Sequence, residues 1–485
     1  MKVIRVFILS TLFLSVSLMT ASGAALDTKP NVLFIAVDDL NDWTTLYDPS
    51  HPIKMPHLER LAKRGVFFSN AYCASPACNP SRVAVMTGLR PTTTGVYGNK
   101  SKWRAALPDV VTIPQHFMKN GYYAAGAGKI FHHGGNGVYH DKASFHEFQM
   151  LSPDICPPKK LNGITNWVGG RDGGPTPPPY DWGEWPKDPA DTPDVKTVNY
   201  ACNFLGKEHA KPFFLAVGIF RPHSPWYAPA EHFADYPLDK VVLPKRLPKD
   251  NEDIPSGGLK LLETGKPFLF KTMDAHNQWP NAVRAYQACA SFADSQIGRL
   301  LDGLDKSPYA ANTIVVLWSD NGFHLGEKLH WEKFALWEKT TRCPLIVVAP
   351  GTTKPGGRCE QPVNLLDIYP TLLELCGLKE RKELEGVSLL PQLRNVQAKR
   401  ERPVLTTWGP GNHAIRSSEW RLIRYADGSK ELYDVKADPN DWHNLLAKKN
   451  PEQFDAVLKK LEQWLPKTEA KQVSDLMPKR NLQQE

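Results

Sequence analysis

The sequence NVLFIAVDD at residues 31–39 decides the fold class of this 485-residue chain. Its first seven residues are almost all apolar, are rich in β-branched side chains and are bounded by Pro30 and Asp38. An unbroken apolar run of this length predicts a strand buried on both faces, because a solvated face would show alternating polar residues. Strands of this kind lie inside sheets that are covered by helices.

Similar apolar runs recur outward from this stretch and predict buried strands at residues 122–127, 212–220, 313–319 and 344–349. The segments between and around them predict helices at residues 56–65, 81–87, 112–120, 282–304 and 367–376. Strands that alternate with helices predict the α/β class, with a parallel sheet covered on both faces.

Two segments depart from this alternation. Residues 152–193 contain ten prolines and little periodicity, which predicts an insertion loop over one face, where specificity commonly resides. From residue 401 the pattern changes to short strands at 403–407, 414–417, 421–425 and 431–435, with a hairpin turn at Asp427-Gly428 and a helix at 451–465. We therefore expect a large α/β domain at residues 25–400 and a small antiparallel α+β subdomain at residues 401–485.

The first 24 residues have the layout of a secretory signal peptide. Lys2 and Arg5 precede an apolar run at residues 6–20, and small residues follow up to Ala24. The run is shorter than the roughly 20 residues of a spanning helix, so we expect cleavage near Ala24 and no stable membrane insertion afterwards. A retained anchor or lipoprotein is the alternative. The predicted location is the periplasm or the exterior.

The composition excludes some classes of protein. Hydrophobic residues make up 41% and charged residues 23%, which excludes a disordered chain. The 59 Lys and Arg residues exceed the 51 Asp and Glu residues, for a formal net charge of +8. No dense run of Lys and Arg accompanies this charge, so we expect no nucleic-acid partner, and the charge favours only anionic ligands in general.

Eight cysteines would enter an oxidising compartment after export. Their spacings are long and irregular and include no C-x-x-C pair, which argues against a zinc site. Cys343 with Cys359, or Cys73 with a distant partner, are candidate disulfides, but spacing alone does not fix the pairing.

Polar residues follow four of the predicted strands, and the carboxyl ends of parallel strands meet at one rim. Asp38 and Asp39 follow the first strand, and Asp320 and Asn321 follow the strand at 313–319. Together they offer only oxygen ligands, which suits Ca²⁺ or Mg²⁺, although either pair alone could be a helix cap or a turn. The other two strand ends carry the side chains Lys129, His132, Arg221 and His223.

The motif CNPSR at residues 78–82 is the most specific local feature. Pro80 suits the first turn of a helix, which would place Cys78 at the helix N-terminus, where free N–H groups attract anions. Arg82 adds a planar donor fork suited to tetrahedral oxyanions. Taken alone, Cys78 could equally be a disulfide or an inert core cysteine.

With Thr87-Gly88 after it, this motif resembles the signature of the type I sulfatases of the alkaline phosphatase-like superfamily. In that family a maturation enzyme reads the motif and converts its cysteine to formylglycine. The stretches NVLFIAVDDL, PFFLAVGIFRPHSPW and PLIVVAPG also match in the family's order. Within the family, GKIFH, RPHSP and LGEKLHWEK resemble the iduronate-2-sulfatase branch most closely.

The resemblance implies a large mixed, mostly parallel sheet flanked by helices, with a small C-terminal subdomain. It also implies one calcium ion, held by Asp38, Asp39, Asp320, Asn321 and the modified Cys78. The iduronate branch often has histidine beside the second aspartate, where this chain has Asn321. The positions that surround the sulfate in the family match Arg82, Lys129, His132, His223 and Lys333.

These matches imply roles in the hydrolysis of a sulfate ester. A hydroxyl of hydrated formylglycine attacks sulfur, and His223 or Lys333 gives a proton to the leaving alcohol. Arg82, Lys129 and Lys333 stabilise the developing charge, and His132 takes a proton when the sulfate is eliminated.

We therefore expect an exported, calcium-dependent sulfatase that acts on sulfated carbohydrates, with 2-O-sulfated uronic acids of a glycosaminoglycan-like polymer as the expected substrate. One alternative is a phosphodiesterase or phosphonate hydrolase on the same fold. Such enzymes usually hold transition metals with more histidines, so Asn321 argues against this alternative. The other is a non-catalytic glycan-binding protein with an unmodified Cys78. Further candidates for the substrate pocket are His324, His330, Trp103, Trp226, Trp331 and His413.

Overall fold

The computed structural model of the chain describes residues 29–132, 138–153, 155–161, 164, 180–264 and 267–473. The predicted signal peptide at residues 1–24 lies outside these residues, as do parts of the predicted insertion and the last twelve residues. Among the described residues, no helix combines the length and the apolar character needed to cross a bilayer.

In the part of the chain that the structure describes, fourteen strands precede residue 365. They are β1 (Asn31–Val37), β2 (Val66–Phe68), β3 (Ala71–Tyr72), β4 (Tyr123–Gly128), β5 (Glu147–Gln149), β6 (Trp182–Glu184), β7 (Phe213–Ile219), β8 (Trp226–Ala228), β9 (Thr313–Ser319), β10 (His324–Leu325), β11 (Trp331–Glu332), β12 (Leu345–Val348), β13 (Gly357–Cys359) and β14 (Val363–Asn364). Eight of them form the central sheet in the order β13-β2-β12-β9-β1-β7-β4-β5. Only β12 runs antiparallel to its neighbours in this sheet, so the expected mixed, mostly parallel sheet is confirmed.

Strand β1 lies in the middle of this sheet and explains why the opening stretch is apolar throughout. It pairs in parallel with β7 on one side and β9 on the other, with Phe34 opposite both Ala216 and Val316. The side chains Leu33, Ile35 and Val37 pack into one core cluster, and Val32, Phe34 and Ala36 pack into another. Because both faces are covered, neither set of alternating positions can be polar.

Helices cover both faces of the sheet. The helices before residue 395 in the described part of the chain are α1 (Pro56–Ala62), α2 (Cys78–Thr87), α3 (Pro91–Thr94), α4 (Trp103–Ala106), α5 (Ile113–Lys119), α6 (Pro193–Leu205), α7 (Ala230–Ala234), α8 (Ser256–Thr264), α9 (Pro267–Ala275), α10 (Trp279–Asp305), α11 (Glu338–Thr341), α12 (Ile368–Leu375) and α13 (Leu390–Arg394). Helices α1, α6 and α10 contribute to the first cluster, and α2, α5 and α12 to the second. Helix α2 begins at Cys78 and not at Ser81, because Pro80 fits within the first helical turn.

The C-terminal part forms an antiparallel sheet, as expected. Strands β15 (Val404–Thr407), β16 (His413–Arg416), β17 (Trp420–Arg424) and β18 (Lys430–Asp434) pair in sequence order, and α14 (Asp455–Glu462) follows. Gly428 has a φ of 88° in the turn between β17 and β18. The sheet is joined to the larger part by a cluster in which Leu336 and Trp337 pack with residues of β16, β17 and β18.

Two expectations are corrected by the structure. All eight cysteines lie in the described part of the chain, and none forms a disulfide. Cys343 and Cys359 flank β2, with Cys343 beside β12 and Cys359 in β13. Two strand spacings of about 4.8 Å exceed the reach of a disulfide. The described end of the predicted insertion is not all loop, since β6 pairs in parallel with β8.

Candidate active site

The carboxyl ends of four neighbouring strands meet where the sequence places its polar residues. Asp38 follows β1, Lys129 follows β4 and Asp320 follows β9, and all three side chains are buried. Asp39 has a φ of 61°, which turns the chain sharply after β1. Its N–H donates to Asp320 Oδ1 at 3.0 Å, and this bond joins the two acidic strand ends.

The acidic side chains form a compact group that could hold a metal ion. One oxygen from each of Asp38, Asp39 and Asp320 lies within 4.8 Å of the others and of Cys78 Sγ. Asn321 donates from Nδ2 to Asp39 Oδ1 at 2.8 Å, and its own Oδ1 is buried without a hydrogen-bond partner. An unpaired buried acceptor is costly, and a hard cation would satisfy it. The donor set therefore fits the predicted ion.

Cys78 lies at the start of α2, as the motif predicts, and its side chain is fully buried. Its Sγ is 2.8 Å from Lys333 Nζ and 4.0 Å from Asp39 Oδ1. Burial raises the pKa of the Cys78 thiol well above its ordinary value, although Lys333 lowers it in part. As a cysteine, residue 78 is therefore a neutral thiol, which makes it a poor nucleophile.

Arg82 lies one turn further along α2 and holds the acidic group together. Its Nε donates to Asp320 Oδ2 at 2.8 Å, and its Nη2 donates to Asp38 Oδ1 at 3.2 Å. Its Nη1 donates to the carbonyls of Lys129 and Ile130. The guanidinium, predicted to contact sulfate, thus bonds directly to two of the predicted metal ligands. Burial opposes its charge, but the two carboxylates raise the pKa of Arg82.

Two buried lysines complete the charge balance of the site. Lys129 Nζ donates to Asp38 Oδ2, and Lys333 Nζ donates to Asp39 Oδ1 at 2.5 Å. Burial raises the pKa of Asp38, but Lys129 and Arg82 lower it by more, so its net shift is downward. The pKa of Lys333 lies well above its usual value, because Asp39, with Asp38 and Asp320, outweighs the effect of burial. Both lysines are therefore ammonium ions.

The two predicted histidines have different surroundings. His223 Nε2 is 3.8 Å from Asp39 Oδ2, and its Nδ1 contacts the Ser224 carbonyl. Burial, with Lys129 and Lys333, holds the pKa of His223 well below its usual value. The His132 ring lies edge-on to Tyr139 at 6.5 Å and lines a cavity of about 160 Å³ with Trp103.

Most of the other candidate pocket residues are buried and contact neighbouring side chains. Trp226 and Trp331 are 1% exposed and pack against each other at 5.7 Å, so both are core side chains with no face open to a sugar. His324 and His330 are buried and share a hydrogen bond between their Nδ1 atoms at 3.0 Å. His413 is also buried and pairs with Glu469 at 2.9 Å. Their placement by tertiary packing is not visible in the sequence.

Sequence reasoning missed two residues that shape the site. Tyr286 on α10 donates to the Asp39 carbonyl at 2.7 Å and accepts from Asn41 N, which supports the sharp turn at Asp39. Ser81 Oγ donates to the Asp320 carbonyl at 2.5 Å. The motif itself contains Ser81, whereas nothing but its position on the inner face of an amphipathic helix could have indicated Tyr286.

Comparison with known families agrees with this geometry. The profile described as sulfatase matches residues 30–378. A second profile, described as N-sulphoglucosamine sulphohydrolase, C-terminal, matches residues 326–471. The first match covers well over half of the chain and contains every residue of the acidic group.

Individual relatives point to the same family. A sulfatase of Formosa agariphila is 40% identical over 91% of this chain and 87% of its own length. Iduronate 2-sulfatase of Homo sapiens is 30% identical over 77% of this chain and 73% of that protein. Choline-sulfatase of Rhizobium meliloti is also 30% identical, over 86% of this chain and 82% of that protein.

A solved structure confirms the fold. Phosphonate monoester hydrolase of Agrobacterium radiobacter superposes with a TM-score of 0.72 at 20% identity, over 91% of this chain and 97% of that one. At this identity the likeness concerns the fold alone. Because the family profile and the relatives align along most of the chain, it belongs to the sulfatase family of sulfuric ester hydrolases.

Proposed function

We propose that this sulfatase acts on carbohydrates and removes 2-O-sulfate from uronic acids, with residue 78 converted to formylglycine. The placement of Cys78 carries the proposal. It starts α2, lies 2.8 Å from the Lys333 ammonium and belongs to the buried acidic group. A thiol there is neutral and has no evident use, whereas an oxygen nucleophile at that point would face a cation site.

Asp38, Asp39, Asp320, Asn321 and residue 78 would hold one calcium ion, which neutralises charge on the sulfuryl oxygens when bound. The unpaired Oδ1 of Asn321 supports this assignment. An amide oxygen among carboxylates favours a hard cation over the transition metals of phosphoryl hydrolases.

Formylglycine supplies, once hydrated, the oxygen that attacks sulfur. The chain's own groups then position the ester and move protons. Lys129 and Lys333 place two positive charges beside the acidic group, where charge develops on the sulfuryl and leaving oxygens. Arg82 holds Asp38 and Asp320 in place through its two hydrogen bonds to their carboxylates.

His223 and Lys333 are our candidates for giving a proton to the leaving alcohol, because their nitrogen atoms lie beside the acidic group, 3.8 Å and 2.5 Å from Asp39. The lowered pKa of His223 leaves its ring neutral, which favours the Lys333 ammonium as the donor. His132, beside Tyr139, is our candidate for the base that releases sulfate from residue 78. His132→Ala should then slow release more than cleavage. Burst kinetics would show this as a first turnover that outpaces the steady state.

The substrate assignment rests on the iduronate 2-sulfatase relative and competes with the choline-sulfatase relative of equal identity. A panel of defined sulfated mono- and disaccharides, with choline sulfate included, tests it in protein from a host that installs formylglycine. We expect release from 2-O-sulfated uronates to exceed release from the other esters. A preference for choline sulfate, or for sulfate on an amino sugar, would overturn the substrate assignment.

A phosphonate or phosphate diester hydrolase is the second candidate, supported by the shared fold of the phosphonate monoester hydrolase. The same preparation should be assayed with aryl sulfates and with phosphate and phosphonate esters, in Ca²⁺, Mn²⁺ and Zn²⁺. Faster turnover of a phosphorus ester with Mn²⁺ or Zn²⁺ would favour this alternative.

The proposal also includes export to the periplasm or exterior and a formylglycine-generating partner. Mass spectrometry of the native protein tests both, by locating the first residue and the mass of the peptide that contains residue 78. An intact thiol at Cys78 would support a non-catalytic glycan-binding protein.

A further inference from the structure

The loop that carries Lys333, residues 326–334, has an unusual backbone. Glu332 and Phe334, on either side of Lys333, have φ values of 77° and 75°, and Lys328 and Leu329 have values of 55° and 50°. Bulky residues rarely adopt this left-handed region, and such conformations persist only where the surroundings hold them in place. The Lys333 loop therefore needs external anchors.

One anchor joins the loop to the segment before Cys78 and to the C-terminal sheet. The Phe334 N–H donates to the Pro76 carbonyl at 3.0 Å. The Phe334 ring packs against Trp408, just after β15, with ring centroids 5.1 Å apart. Phe334 is thus held between the approach to α2 and the C-terminal sheet.

A second anchor lies directly after the loop, at α11. Arg421 on β17 is 1% exposed and donates from Nη1 to the Leu336 carbonyl at 2.9 Å and to Thr341 Oγ1 at 3.2 Å. Its Nη2 donates to Glu338. One side chain of the C-terminal sheet therefore bonds to both ends of the turn at residues 336–341.

The same turn receives further bonds from the C-terminal part. Asp441 accepts from the Glu338 N–H at 2.7 Å, and Trp337 Nε1 donates to Glu431 at 2.8 Å. Tyr72 OH also donates to Glu338 at 2.8 Å. Arg416 on β16 also donates from Nε to Glu338 at 3.4 Å, so the turn is tied to four strands or loops beyond residue 400. Arg421 makes three of these six bonds, more than any other of these side chains.

We propose that Arg421 is a positioning residue of the enzyme: through residues 336–341 it holds the strained loop that directs the Lys333 ammonium at residue 78. This inference rests on the proposed function, because the orientation of Lys333 matters for catalysis only if Lys333 has the role assigned to it there. Arginine is needed because its planar fork can satisfy a carbonyl, a hydroxyl and a carboxylate together, which a lysine cannot.

Arg421→Lys is the informative variant, since it keeps a positive charge beside Glu338 and so avoids leaving a buried carboxylate unpaired. Arg400→Lys is the matched control. Arg400 pairs with the buried Asp367 at 2.7 Å, away from the Lys333 loop. Neither Arg421 nor Arg400 touches the reacting atoms.

Hydrogen exchange followed by mass spectrometry tests the anchoring without any substrate. In Arg421→Lys we expect faster exchange of the amides at residues 331–341 and unchanged exchange in β1, β7 and β9. We expect Arg400→Lys to leave residues 331–341 as in the parent protein. Unchanged exchange of the loop in Arg421→Lys, or an equal change in the control, would overturn the proposal.

Kinetics test the consequence. Arg421→Lys should lower kcat by about 10- to 100-fold, because a displacement of a catalytic group by about 1 Å has an effect of this size. KM should change by less than about twofold. In a Lys333→Ala background the same change should lower residual kcat by less than about twofold, because Arg421 acts through Lys333. Equal effects in both backgrounds would contradict the proposal. Full activity of Lys333→Ala alone would instead refute the role of Lys333, while fast loop exchange would still support the anchor.

Discussion

At the scale of single residues, the site contains buried charged groups that contribute little to stability and suit a catalytic or binding role. Asp38, Asp39, Asp320 and Lys333 are all nearly inaccessible. Burying so many charges is unfavourable unless each is paired, and the pairs seen here still leave the side-chain Oδ1 of Asn321 without a partner. Stability alone gives no reason for such a group of buried charges, so its presence points to function.

Replacement of Cys78 by alanine tests the nucleophile. Cys78→Ala should lower turnover by at least about 10³-fold, because the proposal assigns the attacking oxygen to residue 78. The fold should tolerate the change, since Lys333 keeps its bond to Asp39. Sulfate release and thermal unfolding measure the two effects.

Cys289→Ala is the matched control, because Cys289 is equally buried but lies in the core contributed by α10. It should lose some stability and retain kcat. Near-parental activity in Cys78→Ala would remove residue 78 from the mechanism.

Calcium dependence tests the metal site at Asn321. Calcium should raise the melting temperature of the parent protein, because an ion that binds only the folded state stabilises it. Asn321→Ala removes one proposed ligand oxygen and the bond to Asp39. The calcium concentration that gives half of the maximal rise in melting temperature should therefore increase by at least about 10-fold. The exposed Asn251→Ala serves as the control. Identical calcium titrations of Asn321→Ala and the parent would contradict the assignment.

At the scale of elements, sequence patterns were reliable where burial alone fixes structure. The run at residues 31–37 forms β1, and the motif CNPSR starts α2, because strand burial and a proline in the first turn are local requirements. The apolar run at 344–349 gave no sign that β12 is antiparallel, since a strand buried on both faces has the same composition in either direction. The Lys333 loop was equally invisible, because tertiary anchors impose its backbone.

Helix α1 shows how one element is capped by another. The carboxylate of Asp294, on α10, accepts from His57 N at 2.9 Å and from Leu58 N at 2.8 Å. Burial raises the pKa of Asp294 from 3.8 to about 7, although these two bonds lower it in part. A carboxyl with a raised folded pKa stabilises the fold fully below about pH 4, and this contribution is lost as pH rises through about 7.

Asp294→Asn should therefore change the pH dependence of stability. Asparagine resembles the protonated carboxyl, so the stability of the variant should not follow this titration. Between pH 5 and pH 8 the difference in the free energy of unfolding should therefore shift in favour of the variant by on the order of 2 kcal/mol. Urea denaturation at the two pH values measures this difference. If the variant instead becomes less stable relative to the parent as pH rises, Asp294 stabilises helix α1 as a charged cap.

At the scale of the whole molecule, the C-terminal sheet is part of the structure that forms the site. The sequence predicted this antiparallel subdomain as an appended unit, because its short strands and turns follow local rules. The contacts show closer integration. Glu338, Arg421 and Asp441 form a buried ionic group across the junction, and Trp337 lies in a core cluster shared by both parts. Long-range pairs of this kind carry no local sequence signal.

We therefore expect the two parts to unfold together. Separating them would expose the shared cluster and leave Glu338 or Arg421 buried without its partner, which is strongly destabilising. Calorimetry in excess calcium should give one transition, with a calorimetric enthalpy equal to the van't Hoff enthalpy. Tryptophan fluorescence and far-ultraviolet circular dichroism should report the same urea midpoint.

A chain that ends at residue 400 provides the complementary test, because it keeps every proposed ligand but lacks Trp408, Arg421 and Asp441. It should fail to give a cooperative transition, since Glu338 and the apolar surface of Trp337 would lose their partners. Its loss of sulfate release would follow from the same cause. A truncated chain that melts cooperatively and binds calcium would show that the catalytic part folds alone and that the C-terminal sheet only refines the position of Lys333.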